Sequence, residues 1–508
     1  MEARGGGKRD GPNAIWKRVG NLPGKSEPVR NRYIAYFIGV TLSCHVNGQL
    51  TWRKTYGGHG VDNGRSVRQA PDGGYAVLGS TGSFGAGGSD FYLLKLYPDG
   101  EIQWSSTYGS AGIEQGYGLR ALPDGFALVG FASGDGDYQG MLVRTDADGG
   151  QLWQRNYGSQ DWDFLYSIDT AASGFFLAGK TYTGDGYGDA WLLRTDVNGD
   201  TLWTRHFGTA FDDEARDVKA TPDGGCIVAA ILGNADGTTD AALVKFSAAG
   251  GEEWRSVLGG ASDDRGEGVA LTTDGGYVLG GSTKSYSEYS EMLLAKVAYD
   301  GTSTWVQHIG QIADWMGRGI VEREDGGLML VGFTEAFGNG GKDAYLLYTD
   351  SAGFFEQGRT YGGTEDDEGW AVEPASDGGV IIAGENSSVG PGPLAVYVVK
   401  GDTVGMTVSQ QDDPVVDPLP VNELGHRSIL GINPNIVRVG GLMRIAGIAG
   451  GRAVARIIGV NGAVWKEIPV VSDGDVSIQV PDLAPGLYLL KLITADGRVG
   501  EGKFIVLN

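Results

Sequence analysis

The sequence predicts an all-β chain, a seven-bladed β-propeller with four-stranded blades followed by a small immunoglobulin-like β-sandwich. Three observations carry this. First, a Trp is followed four residues later by an aromatic or aliphatic residue and then Gly, at Trp52/Tyr56/Gly57, Trp104/Tyr108/Gly109, Trp153/Tyr157/Gly158, Trp203/Phe207/Gly208, Trp254/Leu258/Gly259 and Trp305/Ile309/Gly310, and Tyr361/Gly362 follows with Gln357 in the Trp place. The steps between copies are 52, 49, 50, 51, 51 and 52 residues, a period at which one unit cannot bury its own hydrophobic face. Second, Asp-Gly and similar turns separate short alternating runs within every unit. Third, the repeat opens on a single strand and ends on three, as a closed ring requires.

Residues 1–48 read as a signal region. The apolar run 33–42 follows Arg30 and Arg32 and precedes small or polar residues, the order of a secretory signal, and the long basic stretch before it points to a true start near residue 29. No run of eighteen apolar residues occurs, so the mature chain is expected to lack an ordinary membrane span. The formal charge of −23 argues against nucleic acid and suits cations or basic partners. Two cysteines, Cys44 and Cys226, exclude a disulfide framework and a cysteine zinc site. Cys226 holds a strand position filled by Tyr75, Phe126, Phe175 and Tyr277 in other units and reads as an apolar filler.

The propeller spans 49–400. After Trp52, the first unit reads as strands at 64–70, 75–79, 91–96 and 102–108, with Asp72-Gly73 between the first two and Asp99-Gly100 between the last two. Small residues at Gly64, Gly116, Ala215, Gly266, Gly317 and Gly369 place the first strand innermost, with Leu165 the exception, and Gly79 and its counterparts mark a second crowded site. The Trp of the fourth strand is expected between blades as an apolar spacer. The lone strand at 50–56 is expected to complete the last blade beside 370–374, 380–383 and 396–400.

Residues 401–430, with Pro414, Pro418 and Pro420, read as a polar linker. A second set of short strands fills 431–508. This tail carries Asn433-Pro434-Asn435 at its entry, Val460-Asn461-Gly462 at a hairpin, then Pro485, Gly486, Leu487 and Tyr488, and closes on Lys503 and Phe504 near the terminus. It resembles the C-terminal sorting domain of the type IX secretion system of Bacteroidetes-like bacteria, departing from it at Ile436, where the family usually has Pro. The resemblance implies type IX machinery as a partner of 431–508, and an extracellular or outer-membrane-surface location. The repeats are similar to secreted propeller repeats often joined to such tails, some of whose relatives are grouped with endoglucanases. The Gly four residues before Trp is also similar to the tryptophan-docking repeats of quinoprotein dehydrogenases and reads as a shared blade-packing solution.

Ligand sites favour variable loops on a rigid scaffold, here the connections leading into each first strand and those between second and third strands. Acids recur six residues after the aromatic position, at Asp62, Glu114, Asp163, Asp213, Asp264 and Asp367, with Asp314 one place early. They read either as a ring at the channel mouth that binds a cation such as calcium, or as acceptors of N–H bonds in their own turns, and recurrence in every unit favours the second. Aromatics mark the same face at Phe84, Tyr138, Tyr182, Tyr187, Tyr286, Tyr289 and Phe337, as stacking surfaces or as packing over the blade ends. No G-x-S-x-G elbow, H-E-x-x-H helix or P-loop occurs. The expected function is therefore an exported, non-enzymatic binding or adhesion scaffold for a glycan or protein, without a cofactor apart from such a cation. The alternative is a secreted carbohydrate-active enzyme using carboxylates at the channel mouth.

Overall fold

A computed structural model describes residues 49–407, except 134–135, 183–185 and 311, together with strand residues between 413 and 507. The signal region, the start near residue 29 and Pro485 lie outside the described residues. Seven four-stranded units form a β-propeller. Six blades run Asp62–Tyr108, Glu114–Tyr157, Asp163–Phe207, Glu214–Leu258, Asp264–Ile309 and Trp315–Tyr361. The seventh joins Asp367–Pro374, Val380–Asn386 and Ala395–Gly401 to the N-terminal strand Trp52–Gly57. In the first six blades the strands are hydrogen-bonded in chain order, first to fourth, and in the seventh the N-terminal strand takes the fourth place. The ring closes where Trp52 to Tyr56 pair antiparallel with Lys400 to Val396. Gln49 reinforces the seam by donating to the Asp377 carbonyl (2.7 Å) and accepting from Thr403 N–H (3.0 Å).

The apolar residues of neighbouring sheets make seven clusters, each shared by two consecutive blades. Cys226 is fully buried in one of them, and burial pushes its thiol pKa up. The Trp of each fourth strand packs on the glycine of the next blade's turn between third and fourth strands. A Cβ built on Gly100 (φ +78°) would lie 2.9 Å from three Trp52 ring atoms, so this turn admits only Gly. The same contact joins Trp104 to Gly149, Trp153 to Gly199, Trp203 to Gly250, Trp254 to Gly301 and Trp305 to Gly353. The aromatic residue four places on clamps the same turn, with Tyr56 hydroxyl donating to the Gly100 carbonyl (2.7 Å) and Tyr108 to that of Gly149 (2.7 Å). At the Gln357 copy the clamp persists, as Tyr361 hydroxyl donates to the Gly405 carbonyl (2.6 Å). The seventh turn thus extends past Lys400, through Asp402 to Met406. Strand Asp413–Val416 then adds parallel to Trp52–Gly57.

In the tail, Gly451–Gly459, Val464–Ser472, Gly486–Thr494 and Val499–Leu507 form one sheet, with Ser428–Ile429 and Ile436–Arg438 parallel to its last strand. Gly431–Asn433, Leu442–Ala446 and Val476–Gln479 form a second sheet. No helix among the described residues is long and apolar enough to cross a membrane.

Candidate functional site

The acids at the entry of the first strands are buried. Asp62, Asp163, Asp213, Asp264 and Asp367 are fully covered and Glu114 nearly so. Each accepts a backbone N–H of its own turn: Gly58 to Asp62 (2.8 Å), Ser110 to Glu114 (3.1 Å), Ser159 to Asp163 (2.7 Å), Thr209 to Asp213 (2.6 Å), Gly260 to Asp264 (2.6 Å) and Gly363 to Asp367 (2.7 Å). Hydroxyls supply further donors, from Thr81 and Ser83 to Asp62, Thr181 to Asp163, Ser285 to Asp264 and Ser388 to Asp367. The glycine after the aromatic residue makes room for the carboxylate, since a Cβ on Gly57 would meet Asp62 Oδ2 at 2.3 Å. Burial raises the carboxyls of Asp163, Asp213 and Asp367 above the usual range, against the pull of these hydrogen bonds.

Asp314 does not belong to this set, because Trp315 takes the corresponding place at the head of its strand. Asp314 accepts Ser290 N–H (2.8 Å) from the preceding blade, as Asp212 accepts Gly188 N–H (2.9 Å), Asp263 Thr239 N–H (3.2 Å) and Asp366 Lys342 N–H (3.0 Å). Each of these acids ties the entry loop of one blade to the second–third loop of the blade before it.

The axial channel is occupied by other residues. The first strand of every blade carries a register irregularity after its small residue, or after Leu165 in the third blade, and a bulge of this kind re-aims a side chain. The residues at the bulges are Arg65, Tyr117, Tyr166, Arg216, Glu267, Arg318 and Trp370. Together they form a belt. Tyr117 meets Tyr166 edge-on at 5.4 Å, Arg216 lies 4.5 Å over Tyr166, and Arg216 Nε pairs with Glu267 at 2.9 Å. Trp370 is held between two guanidinium groups, Arg318 at 3.3 Å and Arg65 at 3.5 Å from its ring centre. Burial alone would raise the Glu267 carboxyl, but Arg216, Arg265 and Arg318 outweigh it and hold its pKa at about 2. From this belt a cavity of about 630 Å³ runs along the inner strands to their far ends at Gln69, Glu322 and Pro374.

The predicted aromatics divide. Phe84 packs on Tyr92 (5.6 Å), and Phe337, though exposed, packs edge-on against Trp315 (5.6 Å). Tyr286 stacks on His308 at 4.3 Å, with His308 Nδ1 2.5 Å from Glu291, and Tyr289 is exposed nearby. Tyr138 and Tyr182 belong to a larger assembly on the second and third blades. Trp162, half exposed, meets Tyr138 (5.6 Å) and Tyr182 (6.3 Å) edge-on, and Tyr138 packs on Phe131 (5.3 Å) and Phe164 (5.7 Å). Phe164 and Phe131 continue to Tyr166 and Tyr117 of the belt. Tyr187, also half exposed, packs on Phe211 (5.9 Å).

Sequence reading missed Trp162, Phe164 and the belt. Their signal is a departure from the repeat once the first strands are aligned: Trp162 stands where four other blades place Asp212, Asp263, Asp314 and Asp366. In the tail, Tyr488 is buried, Gly486 and Leu487 lie at the start of one strand, and Lys503 and Phe504 lie on its antiparallel neighbour, where Phe504 pairs with Tyr488.

No family model and no curated protein sequence matches the chain. Among solved structures it is similar to a fungal alcohol oxidase of the AA5 family in complex with copper, at 14% identity and TM-score 0.43, covering 90% of this chain and 99% of that one. It is similar to the WD40 domain of Neurospora crassa Pan2, at 8% identity and TM-score 0.44, covering 68% and 91%. Drosophila Semaphorin 2a aligns at 6% identity and TM-score 0.41, covering 89% and 97%.

Proposed function

We propose that this chain is an exported, non-enzymatic binding propeller that engages a glycan through the aromatic assembly of its second and third blades. The observation that supports this is the half-exposed Trp162, braced edge-on by Tyr138 and Tyr182 at a register where four other blades carry Asp. A ring held rigid by its neighbours offers a flat apolar face at little cost in side-chain entropy, which suits stacking on a sugar. Asp161, exposed and next to Trp162 in the chain, supplies carboxylate acceptors for sugar hydroxyls, and the half-exposed Tyr187 lies in the second–third loop of the same third blade. Export through the type IX route, with residence outside the cell, rests on the sorting motifs of 431–508.

A glycan array and a polysaccharide-digestion screen on the full chain, with and without calcium, test this reading. Binding without release of reducing ends, weakened about tenfold or more in Trp162→Ala, is the expected result. Release of oligosaccharide favours the carbohydrate-active enzyme instead, and binding untouched by W162A removes the aromatic face from consideration.

A further inference from the structure

The wall of the cavity beneath the belt carries more cationic than anionic side chains, although Arg65, Arg216 and Arg318 are paired with Glu385, Glu267 and Glu368. Six lysine and arginine side chains and four carboxylates line it, in a chain of formal charge −23. Three residues beyond the belt, equivalent positions of the first strands carry Arg68, Arg120 and Lys219 on three blades, and the acids Asp169 and Glu373 on two others. Two of the cations have carboxylate partners: Arg120 Nε pairs with Asp169 (2.8 Å) and Lys219 Nζ with Asp217 (2.5 Å). Those carboxylates also accept backbone N–H groups, Asp169 from Ala220 (2.8 Å) and Asp217 from Val269 (3.1 Å), which shares out their charge. Arg68 differs. Its Nη1 donates to the carbonyl of Val67 (2.7 Å), and among the described residues no carboxylate pairs with it. Glu373, on the adjacent blade, accepts one N–H from Gln69 (2.9 Å) and also has no ion-pair partner among the described residues. Burial raises its carboxyl to about 7, which the Gln69 N–H, Arg120 and Lys219 only partly oppose, so near neutrality it contributes less than a full negative charge.

We propose that this cavity binds a small polyanion bearing carboxylate or phosphate groups, with Arg68 as the principal contact and Arg120 and Lys219 as flanking cations. A guanidinium held in a channel of reduced dielectric, without its own counter-ion, has lost hydration that an anion replaces. Its planar fork matches carboxylate and phosphate oxygens in a bidentate fashion. The volume lies within the ordinary range of small-molecule sites, and the belt residues line one end. Glu373, when protonated, donates to a second oxygen of the same ligand. This inference does not rest on the glycan reading, because the cavity lies beyond the belt from the aromatic face and involves none of its exposed rings.

The test is titration calorimetry of the full chain at pH 8 with citrate and, separately, with pyrophosphate. Binding of at least one of them, with one ion per chain, is expected. Citrate alone identifies a carboxylate site, pyrophosphate alone a phosphate site, and both together a site that reads charge. Arg68→Met is expected to weaken that binding about tenfold or more, and Glu373→Gln to strengthen it severalfold by removing a negative charge from the wall. Arg68→Lys keeps the charge but not the fork and is expected to fall between wild type and R68M, which preserves the comparison if R68M does not fold. Absence of binding by both probes at millimolar concentration, or equal binding by wild type and the Arg68 variants, overturns the proposal.

Discussion

A buried carboxylate is defined by where its oxygens point. Asp62 and its counterparts sit where a cation ring would sit, yet each curls back to accept the N–H groups of its own turn, into space left by a glycine such as Gly57. The residue types are the same in either arrangement, so sequence alone leaves both open. Glu373, half-buried in the channel, accepts one hydrogen bond and has no paired cation among the described residues. Its folded pKa of about 7 lies above the ordinary glutamate value of 4.5. The native state therefore holds this proton more tightly than the unfolded chain, and the resulting stability is fully present below about pH 4.5 and lost as pH rises through 7. The loss is at most roughly 3 kcal/mol. Urea unfolding at intervals between pH 5 and 8 checks it: relative to wild type, E373Q is expected to gain stability toward pH 8, and parallel profiles would remove Glu373 from the account.

At the scale of strands and turns, the repeat motif encodes one contact made again and again, a Trp ring on the turn glycine of the next blade. Gly100 and Gly73 separate the two demands on such a glycine. Both have positive φ, +78° and +81°, but a Cβ on Gly100 strikes the Trp52 ring at 2.9 Å whereas one on Gly73 meets nothing within 4 Å. Gly73→Ala is expected to cost about 1 kcal/mol from backbone strain alone, and Gly100→Ala about 2–4 kcal/mol because the blade interface must also open. Equal losses in urea unfolding would show that turn conformation, not tryptophan docking, sets the requirement. The first-strand bulge was not legible in the pattern. Small residues at Gly64 and Gly116 announce crowding, but only pairing with the second strand reveals that the next residue is looped out into the channel.

For the whole molecule, closure matters most. Without Trp52–Gly57, the strand Ala395–Gly401 becomes a bare edge, and the buried Trp52 and Tyr56 are lost from the interface of the seventh and first blades. A chain lacking residues 1–57 is expected to melt roughly 10 °C lower or more and to self-associate through that edge. Calorimetry and size-exclusion chromatography read both effects, and a monomer with unchanged Tm would show that the seam contributes little. The count of single strands and triplets in the sequence already implied this closure, as the turn glycines implied the blades.

The sequence alone determined the number of blades, the order of strands, the turn chemistry and the ring's seam. These follow from local rules, since hydrophobic period, positive-φ glycines and strand count act over a few residues and repeat seven times. Tertiary structure decided what lies on the axis and on the face. Arg65, Arg318 and Trp370 stack together, and Trp162, Tyr138 and Tyr182 brace one another, although each group comes from different blades. The physical reason is that ring closure brings equivalent positions of distant repeats to a common axis, where contacts depend on how the residues differ, whereas the repeat pattern records how they agree.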